Sequence, residues 1–384
     1  METLTKKHVA VLGAGLVGSA IAKDLSMDNN FIVTAFDKSF DNNNKFNNFP
    51  QISKVEIDAL NKAELTSALA PFDFVINAVP GAIGFEVLKT VIEAGKNIVD
   101  IAFYPEDPFE LNDLALEKGV TVIVDCGVAP GMSNFLSGYA YGKLDKTDSI
   151  KIYVGGLPKI RQYPFEYKAV FSPTDVIEEY TRAARFVESG NIITKPPLTD
   201  PEIINFPNIG SLEAFNSDGL RTLINTLDVP DMVEKTLRYV GHREKIMLLR
   251  DMGFFETTPI KINNDKISPL DFTSSILFPQ WKLEEGEVDI TVMQIIVSGT
   301  KENRKTTYIY NLYDEYSPET GIHSMARTTG YTATAFLRLI NENGFNRAGV
   351  FPPEILGKEG KYYSFIINDL KQKNVIYSET ILQQ

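Results

Sequence analysis

"HVAVLGAGLVGSAIAKDL", residues 8–25, sets an apolar run, three glycines and a run of helix formers in one order. Val9–Leu12 shows no polar alternation, the pattern of a parallel strand buried on both faces. Gly13, Gly15 and Gly18 follow as G-x-G-x-x-G. In that setting Gly13 permits a tight turn, Gly15 lets a diphosphate approach the backbone, and Gly18 lets helix and strand pack closely. The diphosphate then rests on the helix N-terminus, whose first turn holds Leu16 and Val17. A glycine trio alone is weak evidence. Here a second apolar run, "FIVTAF" (31–36), ends at Asp37, 19 residues past Gly18, where an acidic side chain bonds an adenosine ribose. Order and spacing argue against the alternative, a glycine turn with Asp37 as a solvated strand-end charge. A carboxylate at position 37 repels a 2′-phosphate and favours NAD over NADP, while Lys38 beside it acts the other way. NAD is the expected cofactor, and NADP stays open.

The same alternation continues downstream. "KVEIDA" (54–59) reads as a strand ending near Asp58, "DFVINAVP" (73–80) as one ending at Asn77, Ala78, Val79 and Pro80, "NIVDIAF" (97–103) as one carrying Asp100, and "VTVIVDC" (120–126) as one ending at Cys126. Helical patterns such as "GFEVLKTVIEAG" (84–95) separate them. Six β-α units make a doubly wound parallel sheet, and ligands of such sheets sit outside the carboxyl ends of the strands. Asp58, Asn77–Pro80, Asp100 and Cys126 are therefore expected on the cofactor side. "DKSFDNNNKFNNFP" (37–50) reads as an exposed loop of little chemistry.

A chain of 384 residues exceeds what one core usually supports, roughly 250–300 residues, so two domains are expected. With 43% hydrophobic and 23% charged residues it has a soluble globular profile. No apolar run approaches the ~20 residues of a membrane helix. The first strand begins within a few residues of Met1, so the reading places the protein in the cytoplasm. The net charge of −12 and the lack of a Lys/Arg block argue against nucleic acid as a partner. Cys126 is the only cysteine, and the three histidines, His8, His242 and His323, lack ligand spacing, so neither a disulfide nor a metal site is expected.

Past residue 134 the pattern changes. "KIYVGGLP" (151–158), "YKAVFSP" (167–173), "EVDITVMQIIVSGT" (287–300) and "KTTYIYNLYDEY" (305–316) read as strands, the last two as an antiparallel hairpin. "SMARTTGYTATAFLRLI" (324–340), with Ser324 as N-cap, and "YYSFIINDLKQKN" (362–374) return to helical periodicity.

"DCGVAPGMSN" (125–134), "EYKAVFSPTDVIEEYTRAAR" (166–185), "GSLEAFNSDGLRTLINTL" (210–227) and "EKTLRYVGHREKI" (234–246), in this order behind the dinucleotide fingerprint, resemble the saccharopine dehydrogenase family, most closely its lysine 6-dehydrogenase branch. The resemblance spans nearly the whole chain. It implies an α/β fold: a Rossmann domain (1–127), an inserted α+β substrate and dimerisation domain (128–323), and C-terminal helices (324–384) returning to the first domain. It also implies a homo-oligomer and NAD(P)-linked oxidation of a small amino-acid amine. Ala183 and Val240 stand where relatives tend to have proline.

Hydride transfer from a C–N carbon needs a neutral amine, an aimed hydride and a proton acceptor. An aldehyde dehydrogenase needs a thiolate instead, so Cys126 separates the two classes. No nearby basic residue lowers its pKa, and the resemblance makes it a wall of the substrate site beside the nicotinamide. Asp100 matches an acidic position that the family sets near the reacting amine; its other reading is a helix cap. Histidine is the one side-chain type that titrates near neutrality without help, which makes His242 a further catalytic candidate, or a satisfied core histidine. Arg182, Arg185 and Arg221 can bind a substrate carboxylate through the guanidinium fork, with Arg221 preferred. Lys168 and Glu213, by family analogy, meet the carboxylate and a distal ammonium. The expected function is oxidation of the CH–NH group of lysine or saccharopine. A carboxynorspermidine-type imine reductase and a non-catalytic dinucleotide sensor are the alternatives.

Overall fold

A computed structural model describes residues 6–40, 44–170, 172–284 and 286–384. The chain forms two units, Met1–Gly142 with Ala326–Ile376, and Lys143–Met325 with Tyr377–Gln384.

In the first unit, strands β1 (Lys7–Leu12), β2 (Phe31–Asp37), β3 (Ser53–Glu56), β4 (Phe74–Asn77), β5 (Asn97–Asp100) and β6 (Thr121–Ile123) alternate with helices α1 (Leu16–Ser26), α2 (Lys62–Leu69), α3 (Gly81–Glu93) and α4 (Asn112–Lys118). Asn61 caps α2 by accepting the Glu64 amide, and Gly119, at φ 67°, ends α4 in the left-handed region that glycine tolerates. The strands pair in parallel in the order β3-β2-β1-β4-β5-β6. The order reverses between β1 and β4, which is the crevice where such sheets bind ligands. Ala10, Leu12, Val75, Leu88, Val91, Ile98 and Val122 belong to the core on one face.

Two features depart from expectation. The sixth strand stops at Ile123, because Asp125 takes φ 50° and turns the chain so that the Cys126 amide donates to the Asp100 carbonyl at 2.9 Å. A seventh parallel strand, β17 (Gly349–Phe351), pairs with β6. Three residues are too short to stand out as a strand in sequence. Helices α5 (Met132–Tyr141), α11 (Pro353–Glu359), α12 (Tyr363–Gln372) and most of α10 (Ser324–Asn343) also belong to this unit. The chain therefore passes to the second unit after α5, at Gly142, and not at the expected 127.

The second unit holds β7 (Lys146–Pro158), β8 (Ala184–Glu188), β9 (Asn191–Lys195), β10 (Glu202–Phe206), β11 (Gly210–Asn216), β12 (Asp231–Tyr239), a small hairpin β13 (Ile260–Ile262) and β14 (Asp265–Ile267), then β15 (Asp289–Lys301), β16 (Arg304–Glu315) and β18 (Tyr377–Gln383). Its helices are α6 (Pro173–Thr181), α7 (Leu223–Thr226), α8 (His242–Asp251) and α9 (Pro269–Trp281). The main sheet runs β10-β11-β12-β7-β15-β16-β18, with β8 and β9 branching from β12. The β15–β16 hairpin turns through Glu302 (φ 50°) and Asn303 (φ 60°), the geometry whose twist matches paired strands.

"YKAVFSP" is not a strand: Ala169 makes a single bridge to Lys282, Ser172 caps α6 and Pro173 opens it, while Phe171 lies outside the described residues. Ser324 begins α10, but the cap comes from elsewhere, since the Asp289 carboxylate accepts the Ser324 and Met325 amides at 2.8 and 3.0 Å. The C-terminal stretch is not all helical, because Tyr377–Gln383 pairs with β16.

Candidate functional site

The glycine turn after β1 separates what packing needs from what a ligand needs. A Cβ on Gly13 (φ 94°) would stand 2.5 Å from the Ala78 carbonyl oxygen, and one on Gly18 1.9 Å from that of Gly13. The fold itself excludes side chains there. A Cβ on Gly15 would meet nothing within 4 Å, so its bareness serves open space at the N-terminus of α1. No side chain caps that helix; Leu16 is exposed and Val17 half-buried in its first turn. Asp37 accepts the Ala14 amide at 2.6 Å and its neighbour Lys38's amide at 2.7 Å. The Ser39 amide reaches the same oxygen as Lys38 at 3.5 Å, and a carboxylate has about four acceptor sites, which suits ribose hydroxyls. These residues fit a dinucleotide.

Around this cradle, Asp58 is exposed and bonded to Lys38 Nζ at 3.2 Å, and the Leu60 amide, then Lys38, hold its carboxyl below the ordinary range. The Ala78 amide bonds the Leu12 carbonyl, Asn77 is buried and donates to Gly84, Val79 is buried, and Pro80 is the exposed residue before α3. The polar stretch 37–50 contributes more than expected. Its Lys45 donates to the Ala14 carbonyl at 3.0 Å and interacts with Asp37. Residues 41–43 of that stretch lie outside the described ones.

At the neighbouring strand ends, Asn77 and Asp100 are register partners. Asp100 is fully buried and one oxygen accepts the Ala102 amide at 2.8 Å. Cys126 is fully buried as well. Burial first, then Asp100 and Asp125, push its thiol well above the ordinary value, so it stays protonated. That argues against the nucleophile reading. Thr329 of α10 also borders this edge, 3.1 Å from where a Gly127 side chain would begin.

The second unit uses most of its sequence-nominated residues internally. His242 has no exposed surface; Nδ1 donates to the Phe165 carbonyl at 2.9 Å, so Nε2 accepts from the Tyr180 hydroxyl at 2.9 Å, which Arg238 Nε bonds in turn. Burial, then Arg238, lowers its pKa to about 3. It is a neutral core histidine, and the catalytic expectation is corrected on that ground. Its contribution to stability is complete above the ordinary histidine pKa and declines as pH falls from there toward 3. Arg185 holds Asp218 through Nε and Nη2, each at 2.9 Å, and Arg182 pairs with Glu178 at 3.3 Å. Lys168 donates to the Lys282 carbonyl at 3.0 Å and faces Glu287 at 3.5 Å. Glu213 pairs with Arg243 at 2.7 Å, which ties its carboxylate into the fold. Arg221 is buried, at φ 51°, in the turn before α7.

Sequence reading missed Glu234. It is buried on β12 and accepts the Ser217 hydroxyl at 2.7 Å and the Gly219 amide at 3.1 Å. Burial, reinforced by Glu179 and Asp218, raises its pKa to about 8. No local signal marks it, since its partners come from a separate turn. Among the described residues no cluster of His, Cys, Asp or Glu could hold a metal ion, and no helix is long and apolar enough to cross a membrane.

The profile of the saccharopine dehydrogenase C-terminal domain matches residues 127–376, and that of the saccharopine dehydrogenase NADP-binding domain matches 9–123. The chain belongs to the saccharopine dehydrogenase family. That family consists of nicotinamide-dinucleotide-dependent dehydrogenases, and this member shares its cofactor class. A carboxyaminopropylagmatine dehydrogenase of Synechocystis sp. is 24% identical over 90% of this chain and 92% of its own. The NADP(+), L-glutamate-forming saccharopine dehydrogenase of Schizosaccharomyces pombe is 23% identical over 98% and 99%. The apo L-Glu-forming saccharopine dehydrogenase of Saccharomyces cerevisiae superposes with a TM-score of 0.80 at 19% identity, covering 98% of this chain and 100% of that one, and shows the same fold.

Proposed function

We propose that this family member is an NAD(P)-dependent oxidoreductase acting on the CH–NH group of an amino acid, lysine in a lysine 6-dehydrogenase-like reaction or saccharopine. The carrying observation is a nucleotide cradle whose strand ends bear Asp100 beside a thiol that stays protonated. Bound dinucleotide supplies the hydride acceptor. Gly15 and the first turn of α1 hold the diphosphate, Asp37 orients the adenosine ribose, and Asp100 holds or accepts the amine proton. A neutral, buried Cys126 favours direct hydride transfer over a thiohemiacetal route. Arg221, buried in the turn before α7, is assigned to the substrate carboxylate through its guanidinium fork.

A second reading, a carboxynorspermidine-type reductase that condenses an amine with an aldehyde and reduces the imine, draws support from the likeness to the carboxyaminopropylagmatine enzyme. Absorbance at 340 nm separates the two, read with lysine, saccharopine and diaminoalkanes plus NAD or NADP, and with a diamine and an amino-acid aldehyde plus NADH or NADPH. Oxidation of lysine or saccharopine is the expected result. Turnover only in the reductive direction selects the second reading, and dinucleotide binding without turnover selects the sensor. Assembly as a homo-oligomer belongs to the same proposal and is read by light scattering.

A further inference from the structure

We propose that Lys45 is the residue through which this site accepts a 2′-phosphate, so that Asp37 and Lys45 together set the balance between NAD and NADP. The inference rests on the cofactor reading above. Lys45 lies in a short helical turn, Asn44–Phe46, anchored by the buried ring of Phe46, which packs near Phe40 at 6.3 Å between centroids. The half-buried ammonium donates to the Ala14 carbonyl at 3.0 Å, and the amide of the same Ala14 donates to Asp37 at 2.6 Å. Ammonium, peptide and carboxylate therefore form one patch at the end of β2, beside the glycine turn.

The other nearby cations have different partners. Lys38 reaches away to Asp58, with its side chain 81% exposed, and Lys54 lies over the Phe46 ring at 5.8 Å. Lys23 sits over Phe49 at 5.3 Å and feels the positive charge of Lys45. Lys45 is thus the lysine set beside Asp37 through the Ala14 peptide, and an added anion there meets an ammonium already in place. The ribose of a dinucleotide meets the acidic residue at the end of the second strand. With NAD, Asp37 takes the ribose hydroxyls. With NADP, Asp37 alone repels the phosphate, and the adjacent ammonium replaces that repulsion with a charge-assisted bond.

The test is calorimetric titration of the full chain with 5′-AMP and with adenosine 2′,5′-bisphosphate, for wild type, Lys45→Met and Lys45→Arg, each checked for an unchanged melting temperature. In Lys45→Met the loss of affinity for the bisphosphate should exceed that for 5′-AMP by about tenfold or more, the scale of one charged hydrogen bond. Lys45→Arg should recover most of it. Equal losses for both nucleotides, or no loss, overturn the inference, because the lysine then serves only the loop or nothing at the 2′ position. Wild-type protein that binds neither nucleotide overturns the cofactor reading, and the inference with it.

Discussion

The carboxyl edge of the first sheet and the arginine pairs of the second unit treat charge in opposite ways. Along the carboxyl edge of the first sheet, Asp37 and Asp100 bond to backbone amides, and the glycine between them and the helix faces open space. In the second unit three arginines meet carboxylates: Arg185 with Asp218, Arg243 with Glu213, Arg238 with Glu179. An amide-bonded carboxylate is held in place with acceptor capacity left over. A carboxylate paired with arginine inside a domain is there for the fold, and removing its partner leaves a buried charge. The same residue types therefore carry different meanings in the two regions.

Asp100→Asn probes this contrast most strongly. The amide keeps the bond to Ala102 but cannot take a proton, so turnover should fall by about 10²–10⁴, the range of general acid–base catalysis, with melting temperature unchanged. A stopped-flow measurement showing wild-type turnover would make Asp100 a mere cap and erase the distinction. Arg243→Leu should do the reverse: a loss of about 3 kcal/mol of stability from the stranded Glu213, read by urea unfolding, with KM for the amino acid intact in the folded fraction. A raised KM at undiminished stability would return Glu213 to the substrate.

Which parts of this were readable follows from distance along the chain. The first two strands, the glycines and Asp37 announce themselves because each is local and the fold rule connecting them has a fixed spacing. The pairs of the second unit do not, since Glu213 and Arg243, or Tyr180 and His242, meet only through the sheet. Composition misled twice. An aromatic, alternating "YKAVFSP" looks like a strand, yet its Ser-Pro pair starts a helix; an asparagine-rich stretch looks inert, yet it delivers Lys45. The cap of α10 was invisible for the same reason, because Asp289 lies on another element.

Glu234→Gln sharpens the comparison further. In wild type the buried carboxyl is protonated, and its folded-state pKa of about 8 lies above the unfolded value near 4.5. Its contribution is therefore fully present below the unfolded pKa and is lost as pH rises through 8. The neutral amide should leave stability alike at pH 4 and raise it at pH 9, by an amount set by the gap between the two pKa values, as thermal melts across that range would report. A constant difference at all pH values would mean the carboxyl is ionised in the fold. The smallest effect belongs to Cys126→Ser, where turnover should fall no more than about tenfold, or ~1.4 kcal/mol of barrier. Loss beyond about a thousandfold in folded, nucleotide-binding protein would restore the thiol to chemistry.

Both sheets are finished by strands made late. β17 joins β6 across more than two hundred residues, and β18 closes onto β16 after three intervening helices. A chain leaving the ribosome thus holds six strands of the first sheet with the β6 edge bare until residue 351 has emerged, and the β16 edge waits longer still. Bare edges are templates for another chain, and waiting segments are where multidomain proteins misassemble. The hazard of this architecture is therefore greatest during synthesis, and a ribosome stalled before residue 349 should yield aggregate rather than a smaller working enzyme.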